Sequence, residues 1–259
     1  MKAKQWTAKI DQLIFGGQLQ KWFLKTTASK YRESLTSGFE YSIVSYYQKD
    51  SSNQLAKLCD LYGSDKGELT PLGHPYAWRS HTYSDYYSRL FSHSRQSIFK
   101  VFECGLGTNN PDIPSSMGIK GKPGASLRVW RDYFPNAHVW GGDIDTDVLF
   151  QEERIKTLYL DQLDRNSIQQ FWKQVGQRDF DFILDDGLHT FEAGSSLFEN
   201  SIDYLAMSGT YVIEDVAWVD LVKYKEFFMN SRYLVDFVML SGPDVSLVDN
   251  NLVVIRKMS

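Results

Sequence analysis

Short apolar runs alternate with longer amphipathic segments from residue 58 to the end of the chain. Each run is bounded by Gly, Asp or Glu, as expected for buried strands, and the segments between them have apolar residues at helical spacing. This alternation predicts a doubly wound α/β fold whose seven-stranded sheet is mostly parallel, with an antiparallel edge strand. The predicted helices are at residues 125–134, 165–175, 194–207 and about 221–229. The predicted strands are at residues 101–104, 139–143, 156–160, 180–184, 210–213, 234–240 and 252–256.

Residues 1–57 have a different pattern, which predicts a helical N-terminal extension. Apolar side chains recur there at roughly helical spacing, with a break at Gly16 and Gly17. The polar stretch at residues 50–53 marks the boundary, so we expect an extension at 1–57 and one domain at 58–259. A helical cap or a dimer surface is the simpler interpretation of the extension, and a lid over the substrate is the alternative.

Composition narrows the class of protein. A chain of 259 residues with 42% hydrophobic residues can bury a full core, and its net charge of −4 gives no general attraction to nucleic acid. Cys59 and Cys104 are isolated, which excludes a CxxC metal site and a disulfide framework. No apolar run is long enough to span a bilayer, and no signal peptide is evident. We therefore expect a cytoplasmic protein that binds neither membrane nor nucleic acid, with a homodimer as one option.

Two strand ends have the pattern of a nucleoside pocket. The first predicted strand ends in Glu103 and is followed by Gly105 and Gly107, and the second ends in Asp143. In a doubly wound sheet, ligands bind beyond the carboxyl ends of the strands. Glycines let the backbone approach a nucleoside, and an acid on the next strand can accept both ribose hydroxyls.

Acidic residues also follow two later strands, which indicates a metal site. Asp186 follows the strand at 180–184, and Glu214 and Asp215 follow the strand at 210–213. If these strands are neighbours, three carboxylates converge and repel unless a cation joins them. Oxygen ligands favour Mg²⁺, with Mn²⁺ or Ca²⁺ as substitutes. Helix N-capping is the alternative for a single acid such as Asp185, but it does not explain pairs on both strands.

His189 lies three residues after Asp186, on the turn that leaves the same strand. An imidazole with an ordinary pKa near 6.5 can accept a proton at neutral pH, and a bound metal makes a hydroxyl easier to deprotonate. A lone histidine is more often structural. Because this one shares a turn with a candidate metal ligand, we expect it to be the catalytic base.

Two loops should border the same pocket. The loop at residues 109–123 follows the first strand and is unusually long, which is typical of a pocket wall or a lid. Residues 81–87 are rich in polar aromatics, among them Tyr83, Tyr86 and Tyr87. These tyrosines either cover a flat ligand or pack a helix onto the sheet.

The chain resembles the class I S-adenosylmethionine-dependent methyltransferases, which have a Rossmann-like fold. Among them, it is similar to the metal-dependent sugar O-methyltransferases of the macrocin and mycinamicin type, from about residue 58 to the end. The resemblance is carried by FECGLG at 102–107, residues 124–135, GDID at 142–145, DQ at 161–162, ILDDGLH at 183–189 and YVIED at 211–215, together with GSDK at 63–66 and HTY at 81–83.

The resemblance implies two sets of site residues. The set for S-adenosylmethionine comprises Glu103, Gly105, Gly107 and Ser126 around the methionine part, Asp143 at the ribose, Asp161 and Gln162 at the adenine, and Lys66 and Tyr83 closing over cofactor or substrate. The set for Mg²⁺ comprises Asp186, Glu214 and Asp215, with His189 as the general base. The expected activity is methyl transfer to a hydroxyl of a sugar, in a glycan or natural-product precursor.

Two features leave the acceptor open. The loop at 109–123 is longer than the family's turn, and Leu188 replaces a residue that is commonly small and polar. A phosphorylated small molecule is therefore also possible.

Two other functions compete: a protein that keeps the pocket only for binding or for hydroxylase-like chemistry, and a nicotinamide-dependent oxidoreductase. The last lacks support because Asn110 replaces the third glycine of the dinucleotide motif.

Overall fold

The structure, a computed structural model, describes residues 37, 45–70, 75–76, 78–241 and 249–258. Most of the predicted extension lies outside these residues, so its role stays a prediction. Of its described end, residues 45–53 are not helical and residues 54–57 belong to the first described helix; the Asp50 side chain accepts a hydrogen bond from the Ser52 N–H at 2.8 Å, as in a turn. The first described helix begins at Gln54, after the predicted boundary, and the Asn53 side chain caps it.

The described elements follow the predicted alternation. The helices are α1 (Gln54–Tyr62), α2 (Tyr83–Leu90), α3 (Ala125–Tyr133), α4 (Arg165–Val175), α5 (Phe191–Ser201) and α6 (Trp218–Phe228). The strands are β1 (Lys100–Cys104), β2 (His138–Asp143), β3 (Gln151–Glu152), β4 (Ile155–Tyr159), β5 (Phe180–Asp185), β6 (Leu205–Ile213), β7 (Tyr233–Met239) and β8 (Asn251–Lys257). Three short 3₁₀ turns, at Arg95–Ser97, Thr146–Val148 and Ile202–Tyr204, complete the set.

The strands of the described chain form one eight-stranded sheet in the order β3-β4-β2-β1-β5-β6-β8-β7. The five strands from β4 to β6 in this order are parallel, and β8 runs antiparallel to both β6 and β7. The predicted mostly parallel sheet with an antiparallel edge is confirmed. The eighth strand was not predicted, because β3 has only two exposed residues, too few to show a pattern, and it pairs antiparallel with β4.

One predicted helix is too long. The sequence predicts a helix over 194–207, whereas α5 ends at Ser201 and β6 already begins at Leu205. Leu205 is buried and pairs with Phe180 of β5, and the register between the two strands shifts before Phe182. This irregularity places Met207 and Ser208 at the surface. Tertiary pairing therefore decides the local structure where the sequence has no clear period.

Apolar side chains cover both faces of the sheet. On one face, Phe102, Trp172 and Tyr211 belong to a core shared with helices α4, α5 and α6. On the other face, Trp130 and Phe182 belong to a core shared with α1, α2 and α3. Parallel strands that are buried on both faces consist almost entirely of hydrophobic residues, which is why they appear in the sequence as short apolar runs. Their polar residues are consequently confined to the carboxyl ends of the strands, where the candidate site forms.

Candidate active site

A large cleft opens at the carboxyl ends of the parallel strands. It has a volume of about 990 Å³ and is lined by the segments that follow β1, β2, β4, β5 and β6. Residues 64–66, 78–81 and 112–117 form its other walls. The loop predicted as a wall or lid thus contributes Asp112 to Met117 to the wall. Most of the predicted site residues line the cleft, and Glu103 lies buried beneath it.

The glycine turn after β1 brings two strand ends into contact. Gly105 has φ +89°, and a side chain there would place its Cβ 2.0 Å from the backbone oxygen of Asp186 after β5. Gly107 has φ +75°, and its Cβ would overlap the Met117 side chain. L residues rarely adopt this backbone region, which favours glycine at both positions, and at Gly105 the overlap with backbone leaves no space for a side chain. The turn therefore leaves a floor of bare backbone in the cleft.

Asp143 at the end of β2 is held by backbone N–H groups. Leu106 N–H donates to Asp143 Oδ2 at 2.7 Å, and Asp145 N–H donates to Oδ1 at 2.8 Å. Burial raises the pKa of Asp143, and these donors lower it. Each carboxylate oxygen can accept more than one hydrogen bond, and Asp143 borders the cleft, so it suits acceptance of two neighbouring hydroxyls.

Asp161 and Gln162, predicted together at the adenine, both line the cleft but have different hydrogen-bond partners. Asp161 borders the cleft and accepts a hydrogen bond from the Leu163 N–H at 2.9 Å. The Gln162 amide instead ties β4 to β5: its Nε2 donates to Asp185 Oδ1 at 2.6 Å, and its Oε1 accepts from the Leu188 N–H at 3.0 Å. Because both ends of this amide are engaged, we interpret Gln162 as a residue that shapes the cleft.

Glu103 is fully buried at the end of β1, below the cleft floor. Trp130 Nε1 donates to its Oε2 at 2.7 Å, and Lys66 Nζ lies 3.2 Å from its Oε1. Burial raises the pKa of Glu103 to about 7, although Lys66 and the Ser126 hydroxyl lower it. Ser126, near the start of α3, also borders the cleft, as predicted.

Asp186, His189 and Asp215 form a compact group of possible metal ligands. One possible ligand atom from each residue lies within 4.8 Å of those of the other two. In the described part of the chain, this is the one group of three or more His, Cys, Asp or Glu residues with such a spacing. His189 Nε2 lies 3.2 Å from Asp186 Oδ1 and 3.7 Å from Asp215 Oδ2. Both His189 (φ +58°) and Asp215 (φ +52°) have left-handed backbone conformations, which are uncommon for residues other than glycine and cluster at functional sites.

The acids determine the protonation of His189. Burial lowers the pKa of this imidazole, but the charges of Asp215 and Asp186 outweigh it and raise the pKa to about 10. The ordinary pKa expected from the sequence therefore does not apply while no cation is bound, because the imidazolium is then the positive partner of both carboxylates.

Glu214, the third predicted metal ligand, is not part of this group. Its side chain is buried, and its Oε1 accepts a hydrogen bond from the Tyr87 hydroxyl at 2.7 Å. Its Oε2 contacts Lys66 Nζ, which also lies 2.6 Å from Asp186 Oδ2. Both Glu214 and Asp215 border the cleft and contact a tyrosine of α2, but Glu214 is held by Tyr87 and Lys66, whereas Asp215 lies beside His189.

Tyr83 and Lys66, predicted to close over a ligand, line the cleft, and each contacts the strand-end acids. The Tyr83 hydroxyl lies 2.6 Å from Asp215 Oδ1 and 3.1 Å from the Asp215 N–H, which donates to it. Both side chains are almost completely buried. Of the two interpretations open at the sequence level, packing of the helix onto the sheet is seen for Tyr87, whose ring lies against Phe182 of β5, and the hydroxyls of Tyr83 and Tyr87 in addition contact the strand-end acids.

Sequence reasoning assigned no individual role to three residues near the acids. Tyr87 and Trp130 donate to Glu214 and Glu103, as described above, and their signal was indirect: both lie on amphipathic helices that pack against the strand ends. His81 stacks on Tyr83 with ring centroids 4.7 Å apart, and its Nε2 lies 3.5 Å from Asp215 Oδ1. Only the three-dimensional contacts identify these roles.

Comparisons with known proteins find similar methyltransferases. No family model matches the chain. Curated relatives include a rhamnosyl tetracenomycin-C 2′-O-methyltransferase of Streptomyces olivaceus, 32% identical over 162 residues, and the demethylmacrocin O-methyltransferase of Streptomyces fradiae, 30% identical over 160 residues. The first match covers 62% of this chain and 37% of the relative, and the second covers 61% and 38%.

A solved structure extends the similarity to the fold. The MycE methyltransferase of mycinamycin biosynthesis, solved in complex with Mg and SAH, is 23% identical, with a TM-score of 0.57 over 81% of this chain and 55% of that chain. The Rossmann-like methyltransferase fold expected from the sequence is confirmed, and the curated relatives are sugar O-methyltransferases, as the resemblance implied. The matches nevertheless span less than two fifths of the length of the curated relatives.

Proposed function

We propose that this protein is an S-adenosylmethionine-dependent O-methyltransferase that uses a divalent cation, Mg²⁺ first, to methylate a hydroxyl of a sugar. One observation carries the proposal: a single cleft has a bare glycine turn and Asp143 at one end and the Asp186, His189 and Asp215 group at the other. The relatives' names support the reaction type, and the solved neighbour is described with Mg and SAH.

The cofactor end of the cleft fits an adenosyl ligand. The turn has no side chains at Gly105 and Gly107, so backbone can lie against a flat or extended ligand. Asp143 would accept the ribose hydroxyls, and Asp161 would border the adenine. Glu103, Lys66 and Ser126 would form the charged surroundings of the methionine part. The sulfonium of S-adenosylmethionine supplies an electrophilic methyl group, so the residues mainly position the two reactants in line.

The cation end has suitable donors. Asp186 and Asp215 offer carboxylate oxygens in a partly exposed group that a ligand can reach, and His189 lies beside them, where its Nε2 would stay off the cation and free to act as the base. Oxygen-rich sites favour hard divalent ions. A cation held there would supply positive charge that lowers the pKa of an acceptor hydroxyl and displaces the proton that both carboxylates hold on His189.

Proton removal would fall to His189. Once its Nε2 is free of its own proton, it can accept the hydroxyl proton as the acceptor oxygen takes the methyl group. The Tyr83 hydroxyl would keep Asp215 in place during this step, through its contact at 2.6 Å. These side chains come from three different segments of the chain, so their relative positions depend on the folded sheet.

The acceptor belongs to a coarser class than the relatives' substrates. The relatives are named for sugars on tetracenomycin and macrocin, but residues 112–117 and Leu188 line the cleft of this chain and depart from the family pattern. We therefore propose a sugar hydroxyl in a glycan or natural-product precursor as the methyl acceptor.

Among the described residues, no helix is long and apolar enough to cross a membrane. Cytoplasmic location, a homodimer and the lack of nucleic-acid binding stay predictions.

Calorimetry and a methyl-transfer screen test the proposal. We expect S-adenosylmethionine to bind whereas NAD does not, and methyl transfer to a nucleotide sugar or glycan precursor to stop in EDTA and return with excess Mg²⁺. Binding of NAD instead would support an oxidoreductase. Binding of S-adenosylmethionine without transfer to any acceptor in a broad screen would support a binding protein, and full activity in EDTA would refute the role of the cation.

A further inference from the structure

The acidic strand ends form two adjacent positions for positive charge, and both share Asp186. Its Oδ1 faces the cleft, 3.2 Å from His189 Nε2. Its Oδ2 faces away from this group, 2.6 Å from Lys66 Nζ. The first position lies among Asp186, His189 and Asp215, and the second, which we call the ammonium position, lies among Glu103, Asp186 and Glu214.

The ammonium position is deeply buried. Lys66 is 2% exposed, and the side chains of Glu103 and Glu214 have no exposure. The backbone fixes the lysine from below, because the Lys66 carbonyl oxygen accepts a hydrogen bond from the Ser84 N–H near the start of α2 at 2.8 Å. A buried lysine with three carboxylate neighbours is therefore a constructed feature of the fold, in contrast to a lysine that bends in from the surface.

Charge, more than hydrogen bonding, explains this arrangement. Within the described chain, Glu103 Oε1 has no hydrogen bond of good geometry, and the Lys66 ammonium at 3.2 Å faces it. Buried carboxylates repel each other strongly in a low-dielectric interior unless a cation lies between them. Lys66 is thus the positive charge that the described chain places among these three carboxyl groups.

We propose that Lys66 is an internal cation that occupies the place of a second divalent ion, so that the chain binds one exchangeable ion where its acids could hold two. The inference rests on the proposed function for the first ion, at Asp186, His189 and Asp215. It assigns Glu214 mainly to the ammonium position. Lys66 is thus a positioning residue: it holds the ends of β1, β5 and β6 together and keeps Asp186 oriented toward both positions.

Replacing Lys66 with Met tests this directly. The change keeps the length of the side chain and removes the ammonium, so Mn²⁺ should enter the vacated position. We expect Lys66→Met, prepared with MnCl₂ throughout, to bind two equivalents of Mn²⁺ at pH 8, whereas the wild-type protein binds one. Electron paramagnetic resonance of free Mn²⁺ counts the bound ions. The thermal stability of the variant should also rise more with MnCl₂ than that of the wild type.

Two further variants separate the position from general effects of charge. Lys57→Met removes an exposed lysine of α1 and should bind one equivalent, like the wild type. The double variant Lys66→Met, Glu103→Gln also removes a carboxylate from the vacated position. Its affinity for the second Mn²⁺ ion should be at least tenfold weaker than that of Lys66→Met. Damage to the fold alone would lower ion binding, so a gain of one equivalent is a result that a merely structural role does not give.

The outcomes distinguish this inference from the proposed function. One equivalent in Lys66→Met, or a variant that stays unfolded at every Mn²⁺ concentration, overturns the inference. If the wild-type protein binds no Mn²⁺ and Lys66→Met binds one equivalent, the catalytic cation is rejected and the inference about Lys66 is supported. No binding in either protein overturns both.

Discussion

At the scale of single residues, the site depends on groups whose chemistry is set by their neighbours. His189 is the clearest case, because Asp186 and Asp215 raise its pKa to about 10 while no cation is present. An isolated histidine at this point of the sequence would have an ordinary pKa and no special role. The two carboxylates therefore make His189 a partner of the cation site as well as the proposed base.

Replacing His189 with Ala should lower turnover by about 10²–10⁴-fold, the usual contribution of general base catalysis. The affinity for S-adenosylhomocysteine should stay within about twofold of the wild type, because the cofactor end of the cleft is unchanged. Steady-state kinetics and calorimetry measure the two effects. His93→Ala, at an exposed position of the same residue type, is the control. Equal turnover in both variants would remove His189 from the mechanism.

Replacing Asp143 with Ala should weaken binding of S-adenosylhomocysteine by about 10–100-fold. A hydrogen bond to a charged group contributes about 1.5–3 kcal/mol, and the change also leaves the Leu106 N–H without its acceptor. Calorimetry measures the loss, and circular dichroism checks the fold. Asp147→Ala, at an exposed position four residues later, should bind like the wild type. Affinity unchanged in Asp143→Ala would contradict the ribose assignment.

At the scale of elements, the turn after β1 is the part on which the cleft depends most. Gly105 N–H donates to Gly142 O at 2.8 Å, and Asp186 N–H donates to Cys104 O at 2.9 Å, so the ends of β1, β2 and β5 are tied together by backbone. The geometry leaves no space for a side chain at Gly105. The glycine pattern in the sequence therefore reflects contact between strand ends as well as room for a ligand.

Replacing Gly105 with Ala should destabilise the protein by more than about 3 kcal/mol, because the new Cβ is both strained and 2.0 Å from the Asp186 oxygen. Gly118→Ala is a matched control: Gly118 also has positive φ, at +74°, but no described atom lies within 4 Å of its Cβ. Strain alone should cost it about 1–2 kcal/mol. Urea unfolding measures both. A similar loss in the two variants would show that the overlap at Gly105 relaxes easily.

At the scale of the whole molecule, ligand binding and folding should be coupled, because the cleft is assembled from most of the sheet. S-adenosylhomocysteine at 100 times its dissociation constant should add about 2.7 kcal/mol to the free energy of unfolding. For a domain of this size, that is a rise of about 5–10 °C in melting temperature. Differential scanning calorimetry measures it, with NAD at the same concentration as control. An equal rise with NAD would favour the oxidoreductase instead.

Much of the fold follows from the sequence, and the limits have identifiable causes. Helix α4 has the predicted bounds, because its buried side chains recur at helical spacing between clear caps, Asp164 and Gly176. The start of β6 was misplaced, because its pairing with β5 is irregular. The strand-end acids were predicted to meet at one edge, and they do. The separate positions of Asp215 and Glu214 could not be predicted, since they depend on backbone conformation at the strand end.

The sequence by itself determined the order of elements, the edge of the sheet at which polar groups gather and the residue types available there, because hydrophobic periodicity and turn residues act locally. Only the tertiary structure decided which acids become neighbours, that Lys66 lies among three of them, and that Tyr83 and Tyr87 contact the acids. Those contacts join residues more than a hundred positions apart. Charges interact through space, so their partners are fixed by the packing of the sheet and its helices, which local patterns do not encode.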